Sequence, residues 1–335
     1  MMRALAQLCA AALLAAPGAS QPVPPPAAAP EAPPVTLPNT HQHRIRAEAL
    51  GRDYELHVAL PPGYHANPER RYPVLFTTDS PQSFPIIRGI HGRLRGGGAV
   101  LEDAIIVGLG YAVGDDGTQS RRRDYTPTPH GDIDARPSMP DRPVVYGEAE
   151  GYRLHIRDEV FPFLEARYRI DPARRIYAGH SYGGLFGTHV LLTEPQMFAR
   201  YILMSPSLWY GRRVMIARER AYAMRHRDLP AEVFFLIGGN ETVPDPDTEP
   251  HSQSRFAMVE DMEELVSNLR SRGYPSLRLE ARVIPGEDHA SVYVEAIRRG
   301  MEWALPGTGR EGHQPCLDAA GKPVRFCRWP DWSRR

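Results

Sequence analysis

The chain has 335 residues, 42% hydrophobic and 24% charged, and its 40 basic and 40 acidic residues leave a formal net charge of zero. That length and apolar content suffice for one large α/β domain or two small ones with a substantial core. The charge balance excludes a global pull toward nucleic acid or an acidic partner, since arginine clusters such as Arg121-Arg122-Arg123 are local.

Residues 1–20 read as a signal peptide. Arg3 precedes an apolar stretch, Leu5 to Ala16, too short to span a bilayer, and Pro17-Gly18-Ala19-Ser20 offers small residues for cleavage. No other segment has the length and apolarity of a membrane helix. The mature chain is therefore expected to be exported, periplasmic or secreted, without membrane insertion. Cys9 leaves with the signal. Residues 21–40 form a Pro/Ala-rich linker. A catalytic domain is expected over 41–304, followed by a tail, 305–335, that holds Cys316 and Cys327. An even cysteine pair in an exported chain predicts a disulfide, contributing roughly 2–3 kcal/mol for so short a loop.

From Gln42 to Leu60 apolar and polar residues alternate around a turn at Gly51-Arg52, which predicts an antiparallel hairpin. Tyr72 to Asp79 and Asp103 to Gly108 are continuous apolar runs of the buried parallel type, and Ser80 to Phe84 between them reads as a loop. Gly110 to Tyr146 lacks any period and reads as one long loop. Gly147 to Tyr168 reads as a helix, less securely beyond Pro162. Strands follow at Tyr201 to Ser205, Glu232 to Ile237 and Leu277 to Ile284. Helices follow to about His226, from His251 to Arg272, and from about Ser291 to Trp303. This alternation implies an α/β fold, with a mostly parallel central sheet, an N-terminal antiparallel hairpin and helices on both faces.

One stretch carries chemistry. Ile176-Tyr177-Ala178 leads into Gly179-His180-Ser181-Tyr182-Gly183, and a helical pattern with Leu185, Val190 and Leu191 follows. Strand, G-x-S-x-G turn and helix make the nucleophile elbow of the α/β-hydrolase fold, with Ser181 at the apex. A serine needs a base, and the base needs an orienting group. His289 follows the last strand by a short glycine-containing turn, as the base should. The acid is expected at Glu241, after the preceding strand, with Asp245 and Asp247 as alternatives or no acid at all. Tyr182, following the serine, supplies one oxyanion N–H. No metal or nucleotide signature is present, so no cofactor is expected.

With these residues in place, the chain resembles the esterase D-like Putative esterase family of α/β-hydrolases. Within that family it is similar to siderophore esterases, which cleave catecholate trilactones. The resemblance rests on Tyr72-Pro73-Val74-Leu75 with Asp79, on Arg123-Asp124-Tyr125-Thr126-Pro127-Thr128 and on the elbow. It also rests on Ser205-Pro206-Ser207-Leu208-Trp209-Tyr210 and on Glu287-Asp288-His289-Ala290-Ser291-Val292, and it spans roughly 42 to 304. It implies Ser181 as nucleophile and His289 as base, with some members acting through a dyad. Many relatives carry Asp-Gly where this chain has Asp79-Ser80-Pro81. Pro81 has no N–H, so the second oxyanion donor is expected at Ser80 or Gln82. The resemblance further places Arg123 and Trp209 at the substrate, one for charge and one for stacking. The expected partner is a small-molecule ester. Alternatives are a feruloyl or acetyl esterase of the same family, a serine peptidase, or a catalytically silent binding protein.

Overall fold

The computed structural model describes residues 35–95, 100–129, 136–243 and 256–307. The signal peptide, most of the linker, the Cys316–Cys327 pair, Asp245 and Asp247 lie outside the described residues.

Eight strands form one sheet in the order β1-β2-β4-β3-β5-β6-β7-β8. The hairpin is β1 (Thr40–Ala47) and β2 (Arg52–Ala59), paired antiparallel, and β2 joins β4 (Ile105–Ala112) antiparallel. From β4 on, the pairs are parallel: β3 (Tyr72–Thr77), β5 (Ile170–His180), β6 (Arg200–Met204), β7 (Glu232–Gly238) and β8 (Arg278–Ile284). The fold is that of the α/β-hydrolases.

The period of two in a strand assigns each buried residue to a face. Leu75, Ile106, Ala178, Ile202 and Phe234 pack under α1 (Ser80–Leu94) and α8 (Val292–Ala304), against Phe84, Ile87, Ala296 and Met301. Val74, Phe76, Val107, Tyr177 and Phe235 face the other way, toward Tyr152, Leu185, Phe186 and Met262. Those residues belong to α3 (Ala149–His155), α5 (Tyr182–Leu191) and α7 (Met258–Ser271). Each fully buried side chain of this size contributes roughly 1.5–3 kcal/mol. α6 (Tyr210–Arg225) opens through a left-handed stretch at Gly211, Arg212 and Arg213.

Three sequence expectations are corrected. Ser80 to Phe84 is the first turn of α1, not a loop. Pro81 falls where a helix needs no amide donor, so it starts the helix rather than forbidding it. The supposed long loop from Gly110 contains the end of β4 and a helix, α2 (Gly117–Asp124). Its residues are almost wholly polar, so no apolar period marks it. The one local signal is Asp116, whose Oδ1 accepts the Gln119 amide at 2.7 Å as an N-cap. The helix expected over Gly147 to Tyr168 is three pieces: α3, a π turn (Ile156–Val160) and α4 (Phe161–Glu165). Pro162 cannot donate and crowds the preceding turn, and the helix widens just before it.

Candidate active site

Ser181 sits between β5 and α5 at φ 60° and ψ −118°, a conformation that side-chain-bearing residues rarely adopt. The strand end holds it there, because the Ser181 amide donates to the Met204 carbonyl at 3.0 Å and the Ser207 amide donates to the Ser181 carbonyl at 3.2 Å. The flanking glycines are required by contact. A Cβ on Gly183 would overlap Thr78 Oγ1, and one on Gly179 would overlap the Gly183 carbonyl and lie 2.6 Å from the Tyr177 hydroxyl. Ser181 Oγ lies 3.4 Å from Ser207 Oγ.

The structure brings His289 and Glu241 together across 48 residues of chain, with His289 Nδ1 2.6 Å from Glu241 Oε2. Glu241 ends a short 3₁₀ turn after β7 and is fully buried. Its other oxygen, Oε1, accepts the Ser205 hydroxyl at 2.6 Å and the Gly238 amide at 2.9 Å. Ser205 stands directly after β6 at φ 40°. Sequence reasoning missed its role, although its place after a strand was the available signal. Asp288 turns away from the histidine and accepts the amides of Ala290 and Ser291 at 2.9 and 2.8 Å. The His180 ring packs 4.6 Å from the His289 ring. Burial, then the neighbouring His289, hold the His180 pKa well below the usual histidine range.

Tyr182 and Ser80 are the first residues of α5 and α1, so their amides have no intrahelical acceptor and lie at positive helix ends. The Ser80 hydroxyl is engaged behind the site with His57 Nδ1 at 2.7 Å. The Gln82 amide donates to the Asp79 carbonyl at 3.0 Å, which leaves Ser80 as the candidate of the two.

The expected substrate residues fare differently. Arg123 is buried, with Nε and Nη2 on Asp124 at 2.8 and 2.9 Å and Nη1 on Asp115 at 2.6 Å. It is therefore a structural ion pair, and the arginine that lines the cleft is Arg121. Two residues along an α-helix turn the side chain about 200°, which puts the two arginines on opposite faces. Trp209 does lie near the elbow, its ring 6.1 Å from that of Tyr182, but one face is stacked on Phe256 at 4.0 Å and 7°. Arg121 Nε pairs with Asp79 Oδ1 at 3.0 Å, and its guanidinium sits 5.5 Å from the Tyr182 ring. Tyr111 donates to the same Asp79 oxygen at 2.9 Å. Burial pushes the Asp79 carboxyl up while Arg121 and Tyr111 pull it down, with the first effect larger.

Elbow, buried carboxylate and histidine on one sheet edge define an α/β-hydrolase. The chain belongs to the Putative esterase family, whose model matches residues 47–276, and it is a carboxylic ester hydrolase. It is 29% identical over 278 residues to the ferri-bacillibactin esterase BesA of Bacillus subtilis, covering 82% of this chain and 92% of that protein. It is 31% identical over 214 residues to the siderophore enterobactin esterase of Emericella nidulans, covering 59% of this chain and 70% of that protein. Its fold matches the siderophore hydrolase EstB from Aspergillus nidulans with a TM-score of 0.67 at 24% identity, over 82% of this chain and 97% of that one. No helix among the described residues is long and apolar enough to cross a membrane.

Proposed function

We propose that the protein is a serine esterase that opens catecholate siderophore trilactones through an acyl-enzyme. The observation that carries the mechanism is the 2.6 Å contact between His289 and the buried Glu241, beside a serine held at φ 60°. The names of two curated relatives, one acting on ferri-bacillibactin and one on enterobactin, support the substrate class.

Ser181 Oγ attacks the ester carbonyl and its proton passes to His289 Nε2. Glu241 accepts from Nδ1–H, which selects the tautomer with a free Nε2 and balances the imidazolium that forms. A carboxylate shielded from water and fixed by Ser205 and Gly238 does this without reorganising. The amides of Tyr182 and Ser80 receive the oxyanion. The imidazolium then protonates the leaving alkoxide, and a water deprotonated by His289 releases the acid and frees Ser181.

The test compares a cyclic and a linear catecholate trilactone with p-nitrophenyl acetate and methyl ferulate, using wild type and Ser181→Ala. The trilactone is expected to have the highest kcat/KM, and the variant to lose at least about 10⁴-fold in kcat. Preference for methyl ferulate would replace the substrate reading with a feruloyl one. Full activity in Ser181→Ala would remove the mechanism.

A further inference from the structure

One buried hydroxyl beside the nucleophile has no part in the steps above. Ser207 Oγ lies 3.4 Å from Ser181 Oγ, and Ser207 is buried. It belongs to the turn Ser205-Pro206-Ser207 that follows β6. That turn is fixed at each residue. The Ser205 amide donates to the Leu236 carbonyl at 2.8 Å, the Ser207 amide to the Ser181 carbonyl at 3.2 Å, and the Tyr210 amide to the Ser207 carbonyl at 3.1 Å. Pro206 packs so closely on α5 that a Cβ on Gly184 would come within 2.9 Å of its Cα. One turn thus serves both ends of the Glu241–His289–Ser181 line. The Ser205 hydroxyl meets Glu241 Oε1 at 2.6 Å, and the Ser207 hydroxyl meets the nucleophile.

We propose that Ser207 is a further catalytic residue: its hydroxyl donates to Ser181 Oγ and stabilises the charge that this oxygen carries in both halves of the reaction. The proposal rests on the Ser181 acyl-enzyme reading above. Ser181 has one hydroxyl proton, and the mechanism sends it to His289, so in this pair Ser207 is the donor. Two neutral hydroxyls normally close to about 2.7–2.8 Å, so 3.4 Å is a weak contact in the resting enzyme. As the proton leaves, Ser181 Oγ gains negative charge, and a hydroxyl–oxyanion bond shortens to about 2.5–2.7 Å. In the acyl-enzyme the same oxygen is an ester oxygen, a weak acceptor, and the contact slackens. In deacylation it is the leaving group, charge returns to it, and the bond tightens again. An interaction stronger in the transition states than in the states between them raises kcat and leaves KM. Ser207 keeps its proton throughout, while His289 carries the transferred one. A donor fixed in a turn shielded from water does this without reorganising. The hydroxyl is not needed to hold the elbow, because the Ser207 amide already binds the Ser181 carbonyl.

Ser207→Ala removes the hydroxyl and keeps that amide. On p-nitrophenyl acetate its kcat is expected to fall at least about tenfold, with KM and the pH profile of kcat as in wild type. Its melting temperature is expected to stay within about 2 °C of wild type. Labelling by diisopropyl fluorophosphate, which draws on the same oxygen and needs no deacylation, should slow by a similar factor. Ser207→Cys, which fills the space with a weak donor, should behave like Ser207→Ala. An unchanged kcat in Ser207→Ala, full activity in Ser207→Cys, a loss confined to KM, or unslowed labelling would each overturn the proposal. So would a loss of kcat in both variants matched by melting temperatures lowered by more than about 5 °C, which would make the hydroxyl structural. Ser181→Ala separates this role from the acyl-enzyme reading. If that variant keeps full activity, the serine mechanism falls and the role of Ser207 with it. If it is inactive and Ser207→Ala is unimpaired, only the role of Ser207 falls.

Discussion

Ser205 and Glu241 show how much a single carboxylate depends on its surroundings. Glu241 is fully buried, and its oxygens meet the Ser205 hydroxyl, the Gly238 amide and His289. A buried carboxylate without such partners would be costly; with them it holds a fixed charge beside an imidazole. Glu241→Gln keeps the shape but removes the charge and allows an amide donor to face Nδ1, favouring the wrong tautomer. A loss of about 10⁴-fold in kcat is expected, by analogy with the equivalent change in a serine protease triad, with little change in KM. Steady-state kinetics on p-nitrophenyl acetate check this, and a loss below tenfold would mean that Ser181 and His289 work as a dyad.

At the scale of the element, α2 has two jobs on two faces. Arg121 looks into the cleft, while Arg123 is locked against Asp124 and Asp115, whose side chains are 1% and 3% exposed. The pair raises the Arg123 pKa: burial acts to lower it, and the bonds to Asp124 and Asp115 outweigh that. Arg123→Met removes the buried cation shared by Asp124 and Asp115 and leaves them with Arg52 at 3.6 Å and Arg142 at 3.0 Å, so the loss is expected to be at most about 3–5 kcal/mol. Urea unfolding should show that loss. A raised KM with unchanged stability would instead restore Arg123 to the substrate.

Across the whole molecule, buried histidines set the response to pH. His57, His91, His155, His180 and His189 all have pKa values pulled below the usual 6.5, with burial as the leading cause. Each binds fewer protons folded than unfolded in the range below about 6.5, so stability rises with pH there and falls as the solution is acidified. The melting temperature is expected to be near its plateau above pH 7 and to drop steadily from about pH 6.5 to 5. A flat profile over that interval would show that these histidines are neutral in both states or compensated elsewhere.

The sequence by itself determined the elements whose physics is local. Alternation about Gly51 marked the hairpin, continuous apolar runs marked the inner parallel strands, and two glycines around Ser181 marked the elbow, because each reflects a steric or burial rule within a few residues. His289 was legible from its place after the last strand. Other features needed the tertiary structure. α2 is held by buried ion pairs rather than an apolar stripe, so no period announced it. Glu241 was one of several loop carboxylates until the close of β6 and β7 placed Ser205 and Gly238 on its Oε1 and left Oε2 to His289. Arg121 and Arg123 are equivalent in a string of letters and become opposites only once the helix turns between them. The cleft joins Ile86, Asp116 and Val294 from three distant parts of the chain. Contacts of that span depend on how the helices pack across the sheet, and no local pattern encodes them.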